Sequence, residues 1–192
     1  MIDVVVATFG LMVLSPLIAA AAVAVRVRMG APVIFRQQRL GRGERPFMLW
    51  KLRSMHAPAA GREGPEFDHE RLGRLGGLLR STSVDELPSL VNLLRGEITL
   101  VGPRPLPVHY LPRFTAAQRR RMEVKPGLTG LAQVAGRNTV DWPRRLALDV
   151  EYVDRRSLWL DLTLLARTVP LVLRRTGVDH ADGLTMKELD HQ

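Results

Sequence analysis

The sequence predicts a mixed α/β, helix-rich fold: a small domain carried on an N-terminal apolar helix that enters a membrane. Three observations carry this expectation. Residues 4–25 hold no charge, and at about 1.5 Å per residue a helix of that length could cross a hydrocarbon core about 30 Å thick. The stretch VIFRQQRLGRGERPFMLWKLRSM reads as two short strands around a Gly-Arg-Gly turn. Beyond it, the patterned segments have helical spacing, as in Leu87, Leu90, Val91 and Leu94.

The first element fits a signal peptide poorly, because no basic region precedes the apolar run and Arg26 and Arg28 lie on its far side. Ser15-Pro16 interrupts its middle, where proline removes a backbone donor and predicts a kink. The residues alone favour a kinked spanning helix over a re-entrant hairpin that enters and leaves on one face, since irregular backbone at membrane depth must be covered by protein or water.

In the second predicted strand, Met48, Trp50 and Leu52 alternate onto one face and Lys51 and Arg53 onto the other. That second face is either the wet side of an edge strand or an anion-contacting pair. Residues 56–66 are rich in Gly, Pro and Ala and predict a surface loop. One helix is expected over about residues 68–80, and a second through Leu87 to Leu94 with Gly96 as its stop.

EITLVGPRPLP and VKPGLTGLAQVAGR predict ordered loops around short strands, with Pro126-Gly127 suited to the centre of a type II turn. Residues 142–152 predict a helix. Residues 157–175 are mostly apolar but interrupted by Asp161, Arg167 and Pro170, which suits an interfacial helix better than a spanning one. The polar end is expected to be loosely held. The expected division is a membrane helix over residues 1–28, a catalytic domain over 29–178 and a tail over 179–192.

The chain has 192 residues, enough for one core-bearing domain, and a formal charge of +9. An anionic partner follows: nucleic acid, lipid headgroups or phosphorylated substrates. Aromatics are only 5% and no P-loop or Cys-His metal spacing occurs, which weakens the nucleotide-kinase, zinc-finger and single-strand-stacking readings. With no cysteine, disulfides and thiol chemistry are excluded.

STSVDELPSLVNLLR places Asp85 beside Glu86 just before Pro88. A purely structural account makes Asp85 the N-cap and Glu86 a first-turn acid, or pairs Ser83 with Glu86 in a capping box. The functional account starts from the divergence of adjacent side chains at a helix start: one carboxylate can face an electrophile while the other holds a divalent cation. The helix start also offers N–H groups to phosphate oxygens, and Arg80 lies close upstream.

KLRSM, LRSTSVDELPSLVNLLRGEITLVGPRP, KPGLTGLAQVAGR and LDVEYVDRRSLWLDLTLL, in this order, closely resemble the bacterial sugar transferases, the monotopic phosphoglycosyl transferases that act on polyprenyl phosphate. The resemblance runs from the apolar segment to about Val178, and the family's Ser-Pro matches Ser15-Pro16. It implies a re-entrant helix, against the preference drawn from the residues alone. It implies transfer of a sugar 1-phosphate from a nucleotide diphosphate sugar, usually a UDP-sugar, to polyprenyl phosphate with loss of UMP, at the cytoplasmic face of a bacterial membrane. Direct displacement in a ternary complex is the alternative.

By the same resemblance Asp85 is the covalent nucleophile and Glu86 its partner in holding Mg²⁺. Lys51, Arg53, Arg80 and Arg104 are the candidates for phosphate contacts, and Asp149 is either a third acid of the site or a surface residue. Membrane lipids and downstream glycosyltransferases are the expected partners, without nucleic acid. Longer family members carry a further N-terminal membrane bundle, so the chain is expected to be a minimal catalytic form. A polybasic membrane anchor would not need Asp85 and Glu86 in register with Arg80 and GPRP. A nucleic-acid binder would gain nothing from the apolar first 25 residues.

Overall fold

The computed structural model describes residues 2–62, 64, 67–136, 139–173 and 189. Helix α1, Ile2–Met29, runs unbroken through Pro16. Pro16 cannot donate to the carbonyl of Met12, four residues back, and the Ser15 hydroxyl donates to that carbonyl at 2.9 Å instead. The residue beside the proline thus repairs the bond that proline removes. Along one seam Ala7, Leu11 and Leu14, then Ala21, Val25 and Met29, pack on the domain. Phe9, Met12, Val13, Leu17, Val23 and Val27 stay exposed on the rest of the surface. One long apolar helix, covered by protein along a single seam and otherwise exposed, suits a monotopic membrane element.

The predicted hairpin forms as β1, Ile34–Leu40, and β2, Pro46–Leu52, antiparallel with Phe35 opposite Lys51. A short 3₁₀ turn over Arg42–Glu44 connects them. The free edge of β2 is met by the fully buried Asn92. Its Oδ1 accepts from the Trp50 N–H at 3.0 Å and its Nδ2 donates to the Met48 carbonyl at 2.7 Å. One amide side chain therefore does for β2 what a third strand would do. The Lys51 side of β2 is not wet: Leu49 is buried there and Lys51 points inward, while Met48 on the opposite face is exposed.

The single helix expected over residues 68–80 is two, α2, Asp68–Arg71, and α3, Arg74–Ser81. The break is at Leu72 and Gly73, whose backbones are extended. Gly76 in α3 lies so close to strand β2's exit that a Cβ there would stand 1.8 Å from the Ser54 carbonyl oxygen. A 3₁₀ segment, Val84–Ser89, then leads into α4, Leu90–Leu94, and Gly96 at φ +71° ends it as expected.

Strand β3, Thr99–Val101, pairs in parallel with β4, Gly127–Thr129. Gly127 is a strand residue and not the third position of a type II turn. It is glycine because its backbone approaches Gly102, where a Cβ would stand 2.1 Å from the Gly102 nitrogen. Between the strands lie a 3₁₀ segment, Val108–Arg113, the short helix α5, Ala116–Arg119, and a further 3₁₀ turn, Arg120–Met122. The predicted loop after β4 is helix α6, Leu131–Gly136. Helix α7, Trp142–Arg155, starts at Asp141, whose carboxylate accepts from the Arg144 N–H at 2.9 Å.

Helix α8, Leu158–Leu173, buries Leu164 and leaves Leu158, Trp159, Leu162 and Val169 exposed, with Trp159 79% accessible. This is the pattern of a helix lying at a membrane interface, as expected. The predicted loose tail lies mostly outside the described residues, but Leu189 is not loose. It is 2% exposed in a cluster with Leu40, Leu106, Tyr110 and Leu146, and its carbonyl accepts from Arg113.

Candidate active site

Asp85 and Glu86 lie inside the 3₁₀ segment, and Ser83, at φ +58°, precedes it without a side-chain cap bond. Neither capping account holds: Asp85 lies two residues past the cap position at Ser83, and the Ser83–Glu86 contact is between backbone atoms, Glu86 N–H to Ser83 carbonyl at 3.1 Å. The two side chains diverge, as adjacent positions should.

Glu86 turns toward β2 and the loop after β3. Its Oε1 accepts from Lys51 Nζ and from Arg104 Nη2, both at 2.6 Å. Burial alone would raise the Glu86 carboxyl, but Arg104 and Lys51 outweigh it and hold the group well below the usual carboxylate range. Burial lowers the Lys51 ammonium, and Glu86 opposes that shift. Glu86 raises the Arg104 guanidinium.

Asp85 is buried yet accepts no hydrogen bond and makes no ion pair among the described residues. Burial first, and the Glu86 charge second, push its carboxyl up to about 6; Lys51, Arg80 and Arg104 pull the other way. Although Asp85 is buried overall, its carboxylate oxygens keep some contact with solvent, whereas Asp149 Oδ1 is enclosed without a donor. Arg80 acts on this site from α3 through its field on Asp85, with its Nη1 3.9 Å from Met55 Sδ. Five of the residues singled out in the sequence, Lys51, Arg80, Asp85, Glu86 and Arg104, thus converge.

Two do not. Arg53 leaves the site and ties backbone: its Nε donates to the Met55 carbonyl at 2.9 Å and its Nη1 to the Ala31 carbonyl at 3.0 Å. Asp149, 1% exposed on α7, is neither a surface residue nor an acid facing the cluster. Its Oδ2 accepts from Arg121 Nε at 3.0 Å and Nη2 at 2.6 Å, and that same Nη2 donates to the Arg104 carbonyl at 2.7 Å.

The Arg104 loop is therefore held by more than its prolines. Arg121 grips the Arg104 carbonyl, and Arg39 Nη1 donates to the Pro105 carbonyl at 3.2 Å. Arg39 lines a small, partly open cavity together with Lys51, Glu86 and Arg104. Burial and the nearby Arg104 lower its guanidinium to about 10, so it remains charged at neutral pH. Arg39, Arg121 and Asn92 were not singled out in the sequence. An asparagine inside the apolar run LVNLL was the one signal that could have flagged any of them.

Among the described residues no group of three or more His, Cys, Asp or Glu side chains stands ready to hold a metal. The donor chemistry still suits Mg²⁺, which is commonly held by one or two carboxylates plus substrate phosphates and water. Both Asp85 oxygens and Glu86 Oε2 accept nothing among the described residues.

A family model described as bacterial sugar transferase matches residues 1–175. The chain is 44% identical to the uncharacterized sugar transferase EpsL of Bacillus subtilis, over 95% of this chain and 91% of that protein. It is 40% identical to a UDP-glucose:undecaprenyl-phosphate glucose-1-phosphate transferase of Caulobacter vibrioides, over 90% of this chain and 68% of that protein. An enzyme of the same name from Escherichia coli is 36% identical over 87% of this chain, which spans only 38% of the longer protein.

Proposed function

The chain belongs to the bacterial sugar transferase family, and from that premise we propose that it moves a sugar 1-phosphate from a UDP-sugar to undecaprenyl-type polyprenyl phosphate through a covalent phosphosugar on Asp85. The reaction takes place at the cytoplasmic face of the membrane and begins the assembly of a glycan on its lipid carrier. An Asp85 carboxylate oxygen attacks the phosphorus that carries the sugar, the bond from that phosphorus to the bridging oxygen breaks, and UMP leaves with that oxygen. A polyprenyl phosphate oxygen then attacks the same phosphorus and frees the carboxylate, giving polyprenyl diphosphate sugar.

The observation that carries this reading is the contrast between adjacent acids: Glu86 is paired through Oε1 with Lys51 and Arg104, whereas Asp85 accepts nothing among the described residues. A carboxylate kept short of donors retains its lone pairs for an electrophile. Arg104 and Lys51, set by Glu86, stand where they can take up charge from the diphosphate oxygens. Asp85 and Glu86 are the residues that would hold Mg²⁺, which when bound supplies further neutralisation of the diphosphate.

The test is a single turnover without acceptor. Enzyme mixed with UDP-sugar alone should release UMP up to about one equivalent and gain one phosphosugar mass on the peptide bearing Asp85. UMP that appears only when polyprenyl phosphate is also present, with no adduct on the protein, would replace the covalent route by direct displacement. UDP-glucose and UDP-galactose are the first donors to try, since relatives are named for glucose and galactose transfer.

A further inference from the structure

Asp3 is the one charged residue between Ile2 and Val25. An acid costs free energy in an apolar membrane element unless it has a partner. Both of its oxygens are used: Oδ1 accepts from the Leu100 N–H at 3.2 Å and Oδ2 from the Thr99 hydroxyl at 2.9 Å. These donors belong to β3, on the edge away from β4, so the Leu100 N–H would otherwise be an unpaired strand edge. The Tyr152 hydroxyl meets the next residue, standing 2.9 Å from the Val101 carbonyl oxygen. Gly102, Pro103 and Arg104 follow directly. The first turn of α1 therefore holds the strand from which the Arg104 loop emerges, while Ala21, Val25 and Met29 pack at the other end of the same helix.

We propose that Asp3 is a positioning residue, a latch that ties the lipid-facing helix to the strand leading into Arg104, so that seating α1 and presenting Arg104 are one event. The latch fixes the N-terminal end of α1 to the catalytic domain and hence to its side of the bilayer. A carboxylate in the first turn also suits the helix dipole. Its catalytic consequence rests on the transfer activity proposed above; its geometry does not.

Two readouts separate the two. In membrane vesicles, hydrogen–deuterium exchange over peptides spanning residues 98–102 should be slow in the unaltered protein and faster in Asp3→Ala, with peptides of β4 unchanged. With a UDP-sugar and polyprenyl phosphate, Asp3→Ala should lower kcat by about tenfold with little change in KM for the nucleotide sugar, and Asp3→Asn, which keeps one acceptor oxygen, should recover part of the loss. Adding Thr99→Val to Asp3→Ala should cost nothing further. Unchanged exchange in Asp3→Ala overturns the latch whatever the activity. Altered exchange with unchanged kcat, or additive losses in the double variant, overturns the positioning role. Absence of transfer by the unaltered protein with every donor counts against the proposed activity, and the exchange experiment still decides the latch.

Discussion

Two acid–cation clusters meet at Arg104, one at its guanidinium and one at its backbone carbonyl, and they are wired in opposite ways. In front, Asp85 and Glu86 face Lys51 and Arg104, with Arg80 and Arg39 within electrostatic reach; cations outnumber acids and one acid has no bond. Behind, Asp149 and Arg121 are almost fully buried and bonded to each other, buried Arg145 adds a second cation that acts on Asp149, and Arg121 Nη2 also donates to the Arg104 carbonyl. The rear acid already has its cation, and the bond from Arg121 to the Arg104 carbonyl makes this cluster a support for the loop. The front cluster is electrically open, and a diphosphate carries the charge that would close it. The nucleophile candidate is thus recognised by what it does not bind.

The strongest way to break this comparison is to neutralise one charge in each cluster. Asp85→Asn should lower turnover, read as UMP release, by about 10⁴-fold or more while leaving the fold intact. Arg121→Met leaves Asp149 buried without its cation and should cost about 3–5 kcal/mol of stability in denaturant unfolding. If that variant were fully stable and only inactive, the rear cluster would belong to the chemistry and the contrast would fail.

Next in size, Arg104→Ala should lose about 10²–10³ in kcat. Arg62→Ala removes an equal charge from an exposed pair with Glu70 and should lose almost nothing. Equal losses would mean that net charge alone matters.

The smallest effect sharpens the contrast through pH. The folded-state pKa of Asp85 is raised to about 6 from 3.8, so the native state holds this proton more tightly than the unfolded chain does. The stability it contributes is present below pH 4 and is lost as pH rises through about 6. Asp85→Asn cannot ionise, so above that range it should be more stable than the unaltered protein by about 2–3 kcal/mol, a gain that vanishes near pH 4. Metal-free thermal or denaturant unfolding at pH 4 and pH 8 reads this directly. A variant less stable at pH 8 would mean that the Asp85 carboxylate is satisfied after all.

What the sequence made legible were features with local causes. The hairpin follows from alternation around a glycine turn, α1 from an uncharged run, and α8 from an apolar stretch broken by charges; α7 was expected over 142–152 and runs to Arg155. What stayed hidden depends on contacts between distant segments. The need for glycine at positions 76 and 127 comes from close backbone approaches, Gly76 to Ser54 and Gly127 to Gly102, and spacing within one segment cannot report these. At the site, the motif residues Lys51, Arg80 and Arg104 gathered around the acids, but Arg53 did not, because its side chain is taken by the Ala31 and Met55 carbonyls. Arg39 and Arg121 were invisible among 28 basic residues, since nothing local marks an arginine that will grip a carbonyl across the fold. Leu189 sat in a polar context and still found the core.

Asn92 has a consequence for how molecules of this protein meet one another. A two-stranded ribbon offers bare edges, and a bare edge is a template on which a neighbouring chain can pair, all the more where membrane attachment confines copies to a plane. By occupying the Trp50 N–H and the Met48 carbonyl, one buried amide removes the central stretch of the β2 edge from that competition. The same side chain that ties β2 to α4 therefore also guards against strand exchange between crowded copies.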